Sequence, residues 1–197
     1  MGKNTDMLKC FFKVMTNNKE EIKKIIPKMY MKNIYEIDYK YLKKQNLTNL
    51  IFDIDNTLLP VDDKNVPDKL LHHFIQLKND FNILIMSNNH IERVKPVANI
   101  LQVKFLYKAG KPKKEAFEKA LKLLQSTKEN TVMIGDQMLS DIKGASELGI
   151  YTILIDPISN KHNIQTKTSR ILQDILEKHL AKRKIFISNK YYIKEEK

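Results

Sequence analysis

The stretch "LIFDIDNTLLP", Leu50–Pro60, joins a buried-strand pattern to two aspartates that are separated by one residue. Three apolar residues lead directly into Asp53 and Asp55, and burying an isolated carboxylate is costly. If extended geometry continues through both aspartates, their side chains point the same way, roughly 6–7 Å apart. Like charges at that separation favour a divalent cation, and Mg²⁺ prefers carboxylates together with phosphate oxygens. The stretch therefore predicts a core strand that ends at a polar site.

Length and composition are those of a single globular domain. The chain has 197 residues, of which 42% are hydrophobic and 29% are charged. No apolar stretch approaches the roughly 18 residues of a transmembrane helix, and the N-terminus lacks the pattern of a secretory signal. The single cysteine, Cys10, cannot form an internal disulfide. These features predict a cytoplasmic protein with no transmembrane segment.

The net charge of +12 is carried by the two ends of the chain. Residues 1–50 contain 11 lysines and 5 acidic residues, residues 157–197 contain 10 basic and 4 acidic residues, and the segment between them is neutral. Basic flanks fit an anionic membrane surface or a nucleic acid, but also a Lys-rich composition with solvated faces. Lysine outnumbers arginine by 32 to 3, which argues against a site built from bidentate arginine–phosphate contacts.

Apolar runs alternate with amphipathic segments from residue 50 onward. The predicted strands are Leu50–Ile54, Asn82–Ser87, Val103–Tyr107, Thr131–Ile134 and Tyr151–Ile155. The predicted helices are Pro67–Lys78, Ile91–Leu101, Lys113–Gln125, Met138–Leu148, which Gly149 would cap, and Ile164–Lys182. Continuously apolar strands that alternate with helices favour an α/β fold with a doubly wound parallel sheet. Ligands of such folds bind beyond the carboxyl ends of the strands.

The two flanks are predicted to be additions to this core. Residues 5–15 have a helical pattern whose apolar face consists of Met7, Leu8, Phe11, Phe12 and Met15. This helix either packs on the core, which we favour, or lies in a membrane interface. Residues 1–25 are therefore predicted to be a basic helical extension and residues 26–183 the main domain. Residues 184–197 are predicted to be a mobile tail or an added edge strand.

Further polar residues follow the other predicted strands. "GDQMLSD" supplies Asp136 and Asp141, so four carboxylates from two strand ends could converge on one metal ion. Ser87 and Asn88 offer a hydroxyl and an amide beside a helix N-terminus, where phosphate binds readily. Lys111, in "AGKPKK", would offset phosphate charge. Each motif alone is a common turn or cap, but their occurrence in this order, each after a strand, indicates phosphoryl chemistry.

The four segments together resemble the four motifs of the haloacid dehalogenase (HAD) superfamily, here "DIDNT", "SNN", "GKP" and "GDQMLSD". The fuller patterns "FDIDNTLLP", "YKAGKP" and "GDQMLSDI" are more similar to the YqeG branch of the IIIA-type phosphatases, which is related to phosphatidylglycerophosphate phosphatases. The resemblance extends from about Ile26 to the C-terminal helix. It implies a Rossmann-like HAD core with a minimal cap domain or none, and hence an open site, because no inserted domain fits the spacing of the motifs.

The resemblance also implies roles for individual residues. Asp53 would attack phosphorus to form an aspartyl-phosphate, and Asp55 would protonate the leaving oxygen and then activate water. Mg²⁺ would be held by Asp53, the backbone carbonyl of Asp55 and Asp136, with Asp141 close by or acting through water. The side chains that would bind the phosphoryl group are Thr57, Ser87, Asn88 and Lys111.

Three classes of function remain open from the sequence. The first is hydrolysis of phosphomonoesters, in its narrower form of phosphatidylglycerophosphate, with the basic flanks in peripheral contact with a membrane. The second is an RNA- or ribosome-associated factor whose phosphatase activity is secondary, although no aromatic RNA-binding pattern is present. The third is a phosphoacceptor signalling domain. Asp55 disfavours this third class, because a persistent phospho-aspartate needs no acid–base group two residues away.

Overall fold

The computed structural model describes residues 2–61, 63, 65–159 and 164–193, with side chains over 6–61, 63, 65–159 and 170–193. In chain order the strands are β1 (Met29–Met31), β2 (Asn49–Phe52), β3 (Asn82–Met86), β4 (Lys104–Leu106), β5 (Thr131–Gly135), β6 (Tyr151–Ile155) and β7 (Tyr192–Ile193). The α-helices are α1 (Gly2–Met15), α2 (Lys19–Ile25), α3 (Tyr39–Lys44), α4 (Asp68–Leu77), α5 (Ile91–Leu101), α6 (Lys114–Leu124), α7 (Lys143–Leu148) and α8 (Ile164–Lys182). Two short 3₁₀ turns lie at Ile34–Glu36 and Lys128–Asn130.

The strands form one sheet in the order β4-β3-β2-β5-β6-β1-β7. All neighbouring strands are parallel except β7, which runs antiparallel to β1. The first residue of β2, Asn49, is in register with Asn82 of β3 and Thr131 of β5. Because β2, β3 and β5 start level with one another, the chain segments that follow them emerge together at one edge of the sheet. The predicted parallel α/β sheet is confirmed.

Strand β2 shows why the sheet is covered on both faces. Its four residues are all buried, and successive side chains point to opposite sides. Phe52 packs against Phe74 of α4, with ring centroids 5.2 Å apart, whereas Ile51 belongs to a separate cluster with Phe117 of α6. Burying a side chain of this size contributes about 1.5–3 kcal/mol, so a strand whose run Leu50–Phe52 is apolar on both faces is stable only between two helical layers.

The segment after β5 differs from the prediction of one helix over Met138–Leu148. A π-helical turn, Met138–Ile142, precedes α7. The amide of Ile142 donates to the Gln137 carbonyl at 3.2 Å, an i to i+5 bond that widens the turn. Gly149 ends α7 with φ +84°, as predicted for a glycine C-cap.

Helix α1 packs on the core through a face that overlaps the predicted one only in part. Its buried residues are Met7, Cys10, Phe11 and Val14, which pack with Leu176 and Leu180 of α8. Leu8 and Phe12, both assigned to the packed face, are exposed. The buried face is therefore rotated relative to the predicted one, and it packs against α8 and the π-helical turn. Burial also raises the pKa of the Cys10 thiol to about 12.

The C-terminal segment returns to the sheet after α8. Tyr192 pairs with Tyr30 of β1, so the end of the chain adds an edge strand, the second of the two predicted arrangements. β1 itself was not predicted, because three residues are too few to show a strand period. None of the helices in the described ranges is both long enough and apolar enough to cross a lipid bilayer.

Candidate active site

The chain makes a tight turn directly after β2. Asn56 has φ +66°, and the amides of Thr57 and Leu58 donate to the Ile54 carbonyl at 3.1 and 2.8 Å. Asparagine tolerates this left-handed conformation better than most side chains. The turn brings the Thr57 hydroxyl back toward the sheet, where it donates to Asp136 Oδ1 at 3.2 Å. The polar residues after β2 therefore face those after β5, as the strand register requires.

Three buried carboxylates meet at this edge. One oxygen from each of Asp53, Asp136 and Asp141 lies within 4.8 Å of the other two. Asp53 and Asp136 follow β2 and β5 directly, and the π-helical turn brings Asp141 back over Gly135. A Cβ on Gly135 would lie 2.4 Å from Asp141 Oδ2, so only glycine permits this approach. The amide of Gln137 fixes Asp141 further by donating to Oδ2 at 3.1 Å.

Lys111 neutralises part of this acidic cluster from within. Its Nζ lies 2.6 Å from Asp53 Oδ1 and 2.7 Å from Asp141 Oδ1, and its side chain is only 2% exposed. Burial acts to lower the pKa of Lys111, but the attractions to Asp141 and Asp53 outweigh it, so the net pKa is raised and the ammonium stays charged. Burial in turn raises the pKa of Asp141 to about 6, against the opposing effect of Lys111.

Asn88 holds the loop that presents Lys111. Its Oδ1 accepts from the amides of Gly110 and Lys111 at 2.9 and 2.8 Å, and its Nδ2 donates to the Lys111 carbonyl at 3.1 Å. Both polar ends of the side chain are therefore bonded to the protein backbone. These contacts show that Asn88 positions the loop, and the direct phosphate contact that the sequence predicts for it stays a prediction. Ser87, the other candidate after β3, is buried and accepts from the Asn89 amide at 3.1 Å.

Asp55 lies apart from the acidic cluster, in a different environment. Its Oδ1 accepts from Arg93 Nε at 2.9 Å, and its Oδ2 accepts from Asn89 Nδ2 at 3.1 Å. Burial and the nearby Asp53 raise the pKa of Asp55, and these two effects exceed the lowering by Asn89 and Arg93. Two carboxylates separated by one residue in sequence therefore have different partners.

Helix α8 contributes two site residues that the sequence analysis missed. Arg170 contacts Asp136 Oδ2 through Nη2 and donates from Nη1 to the Asp136 carbonyl at 3.3 Å. Gln173 donates to the same carbonyl at 3.1 Å and accepts from the Met138 amide at 3.0 Å. Burial lowers the pKa of Arg170 from its high ordinary value. A detectable signal existed: Arg170 and Gln173 share the buried face of α8 with Leu176 and Leu180, where polar residues need a partner.

The acidic cluster has the chemistry of a divalent-cation site. Three carboxylates face two cations, Lys111 and Arg170, which leaves a net negative charge in a buried cluster. Hard oxygen ligands at this spacing are those that Mg²⁺ and related cations prefer. The residues present therefore fit a divalent metal.

The chain is similar in sequence to known hydrolases. Residues 108–177 match a family model described as HAD-hydrolase-like. The chain is 36% identical over 146 residues to the probable phosphatase YqeG of Bacillus subtilis strain 168, covering 74% of this chain and 85% of that protein. Among solved structures, a HAD-like hydrolase from Porphyromonas gingivalis has a TM-score of 0.46 at 14% identity, covering 65% of this chain and 98% of that one. An uncharacterized Listeria monocytogenes protein has a TM-score of 0.45 at 20% identity, covering 71% and 100%.

The two structural scores are low, so membership of a family rests on the sequence match that spans most of both chains. The chain therefore belongs to the haloacid dehalogenase superfamily of hydrolases, within the phosphatase family that YqeG represents.

Proposed function

We propose that this phosphatase hydrolyses phosphomonoesters with Mg²⁺, through a phosphoryl intermediate on Asp53. The observation that supports this is the separation of the two aspartates after β2. Asp53 is paired with the Lys111 ammonium at 2.6 Å, whereas Asp55 is bonded to Arg93 and Asn89 and has a raised pKa. Paired carboxyl groups with divergent environments are the usual basis for assigning nucleophile and acid.

The reaction balances with these two residues alone as covalent and proton-transfer groups. A carboxylate oxygen of Asp53 forms a bond to phosphorus while the ester P–O bond breaks, and the leaving oxygen takes the proton of Asp55. Asp55, now ionised, accepts a proton from water as that water attacks the aspartyl-phosphate. Inorganic phosphate is released, and both carboxyl groups return to their starting states.

The remaining residues bind charge. Lys111, Thr57 and Ser87 are the side chains that we propose to contact the phosphoryl oxygens. Asp53, Asp136, Asp141 and the backbone carbonyl of Asp55 would hold the metal. When bound, Mg²⁺ neutralises charge on the transferring phosphoryl group. Because Lys111 and Thr57 already bond carboxylates of the acidic cluster, the protein needs little rearrangement to position them.

The substrate that we propose is an anionic phospholipid monoester, phosphatidylglycerophosphate. The resemblance to the YqeG branch suggests it, and the exposed sides of α1 and α8 support a membrane contact. Phe12 is 63% exposed, and Leu8, which lies one helical turn before it on α1, is also exposed. Ile171 is 53% exposed, and Ile175, which lies one helical turn after it on α8, is also exposed. Exposed Lys9, Lys178 and Lys182 lie on the same helices. Apolar residues flanked by lysines are typical of helices that bind anionic membranes.

An assay of phosphate release tests the proposed reaction and the role of Asp53. Purified protein with Mg²⁺ is assayed against phosphatidylglycerophosphate in detergent, sugar phosphates, nucleotides and phosphopeptides. Asp53→Asn should abolish turnover, because an amide is not a nucleophile. The matched control is Asp80→Asn, which alters an exposed carboxyl that pairs with Lys43 on the surface. Substantial turnover by Asp53→Asn would contradict the assignment of the nucleophile.

Vesicle binding measures the lipid part separately. The protein should sediment with vesicles that contain phosphatidylglycerol and not with neutral phosphatidylcholine vesicles, and Phe12→Ser should weaken binding without changing turnover of soluble substrates. The basic flanks would also attract RNA through its phosphates, with a steep salt dependence. Binding to RNA but not to the anionic vesicles would reject the membrane contact and favour the RNA-associated alternative.

A further inference from the structure

Arg93 bridges the proposed acid to a turn of the chain that follows β2. It lies in the first helical turn of α5 with its side chain 10% exposed. Nε donates to Asp55 Oδ1 at 2.9 Å, Nη2 donates to the Pro60 carbonyl at 3.0 Å, and Nη1 contacts the Asp63 carbonyl. The three nitrogens of the guanidinium thus contact one carboxylate and two backbone carbonyls.

The second oxygen of Asp55 is held from the same region of the chain. Asn89 donates to Asp55 Oδ2 at 3.1 Å, and its own Oδ1 accepts from the His90 amide at 2.9 Å. The beginning of α5 and the residues just before it therefore fix the carboxyl group of Asp55 at both oxygens. A carboxyl held in this way has its rotation restricted before any substrate arrives.

The turn at Pro60 and Asp63 is tied to the same guanidinium. The Asp63 amide donates to the Pro60 carbonyl at 3.1 Å, and this carbonyl also accepts from Arg93. Lysine could not replace this arrangement, because an ammonium is a compact charge whereas a guanidinium is a planar fork of five donors. The position of the turn and the orientation of Asp55 are therefore set by one side chain.

We propose that Arg93 is the positioning residue for the acid–base step. Its guanidinium orients the Asp55 carboxyl toward the leaving oxygen and holds that carboxyl at a fixed position relative to the Pro60 and Asp63 carbonyls. This inference rests on the proposed function, and it adds a residue that is outside the four sequence motifs. Arg93 itself exchanges no proton, because its guanidinium stays protonated at any working pH. The proton passes from Asp55 to the leaving oxygen as the P–O bond breaks.

The dependence of kcat/KM on the leaving group distinguishes a misplaced Asp55 carboxyl from general damage to the active site. A p-nitrophenolate leaves without a proton, whereas an alkoxide needs one, so misplacing the acid harms alkyl phosphates selectively. The value of kcat/KM is measured with Mg²⁺ for p-nitrophenyl phosphate and for glycerol 3-phosphate. Arg93→Gln should lower kcat/KM for the alkyl ester by about 10- to 100-fold more than kcat/KM for the aryl ester. This difference is a part of the rate enhancement that a general acid typically contributes.

Three further variants complete the series. Asp55→Asn is the reference, because it removes the acid and should show the largest excess loss of kcat/KM on the alkyl ester. Arg93→Lys, which retains the charge but can reach fewer oxygens, should show a smaller selective loss, and it also serves if Arg93→Gln does not fold. Arg183→Gln is the matched control, because Arg183 is exposed and follows α8. It should leave both kcat/KM values unchanged.

Amide hydrogen exchange at Asp63 provides a readout independent of turnover. The Asp63 amide should exchange faster in Arg93→Gln than in the wild type or Arg183→Gln, because its acceptor, the Pro60 carbonyl, loses its tie to α5. Equal losses on both esters, or unchanged exchange at Asp63, overturn the inference. If the wild type hydrolyses neither ester, the proposed function fails instead. If Asp55→Asn is selective and Arg93→Gln is not, only the role of Arg93 fails.

Discussion

Replacing Lys111 with methionine should make the stability of the protein depend on magnesium. Methionine has a similar length but no charge, so the ion pairs of 2.6 and 2.7 Å to Asp53 and Asp141 are lost together. Removing Lys111 adds one more uncompensated negative charge to the acidic cluster, which is buried and already has a net negative charge. Removing one partner of a buried pair typically costs about 3–5 kcal/mol.

Proton uptake sets an upper limit on that loss. Protonating one carboxyl of ordinary pKa near 3.9 at pH 7 costs about 4 kcal/mol, and at pH 5.5 only about 2 kcal/mol. The loss of unfolding free energy should therefore be about 3–4 kcal/mol at pH 7 and about 2 kcal/mol at pH 5.5. For a chain of this size, 1 kcal/mol shifts Tm by about 2–4 °C, so Tm should fall by roughly 6–15 °C at pH 7.

The assay is thermal unfolding followed by far-UV circular dichroism, in EDTA and in excess Mg²⁺. A cation bound to the carboxylates supplies the charge that Lys111 no longer provides, so Mg²⁺ should raise the Tm of Lys111→Met more than that of the wild type. The matched control is Lys119→Met, an exposed position on α6. A Tm within about 2 °C of the wild type in EDTA at pH 7 would refute the view that Lys111 compensates buried charge.

Three other measurements test the site and the packing of α1. Gly135→Ala should lower kcat/KM at least about 100-fold and weaken magnesium dependence, because the added Cβ would lie 2.4 Å from Asp141 Oδ2; wild-type kinetics would show that Asp141 need not lie there. The native Cys10 thiol should resist a chromogenic disulfide reagent until the protein is unfolded, since it is 2% exposed and burial raises its pKa to about 12. In EDTA, Asp141→Asn should gain stability relative to the wild type as pH rises from about 4 to 6. A pKa raised to about 6 means that the folded wild type keeps a proton that the unfolded chain releases above its ordinary pKa of about 3.9, so the stability of the wild type falls over this interval. A pH-independent difference between the two proteins would contradict the raised pKa of Asp141.

The sheet and the acidic cluster were predictable because their signals are local in the sequence. A run such as Leu50–Phe52 is apolar on both faces of a strand, and only a covered parallel sheet accommodates it. The polar residues that follow the strands then meet at one edge, whatever the loops between them do. Asp53, Asp136, Asp141 and Lys111 were found in this way, and the structure places all four in contact or within a few ångströms.

The parts that escaped prediction depend on contacts between distant segments. Arg170 and Gln173 lie within an amphipathic helix, and Arg93 lies in the first turn of another, where a polar residue normally faces solvent. Their burial follows from how α5 and α8 dock on the sheet. The backbone contacts of Asn88 also escaped prediction, for a related reason. The motif shows which residue follows β3, but not that the backbone at Gly110 and Lys111 occupies both ends of its amide.

The scarcity of arginine argues against bidentate arginine–phosphate contacts, but it does not keep guanidinium groups away from the site. Two of the three arginines, Arg93 and Arg170, contact site carboxylates, while Arg183 is exposed. Each of the two also bonds backbone carbonyls, which point in directions that a single ammonium cannot satisfy. Lys111 occupies the one place where a point charge suffices, between two carboxylate oxygens at nearly equal distance. In a chain dominated by lysine, the geometry of the acceptors therefore explains where arginine is used, and the total count of arginines says little about the site.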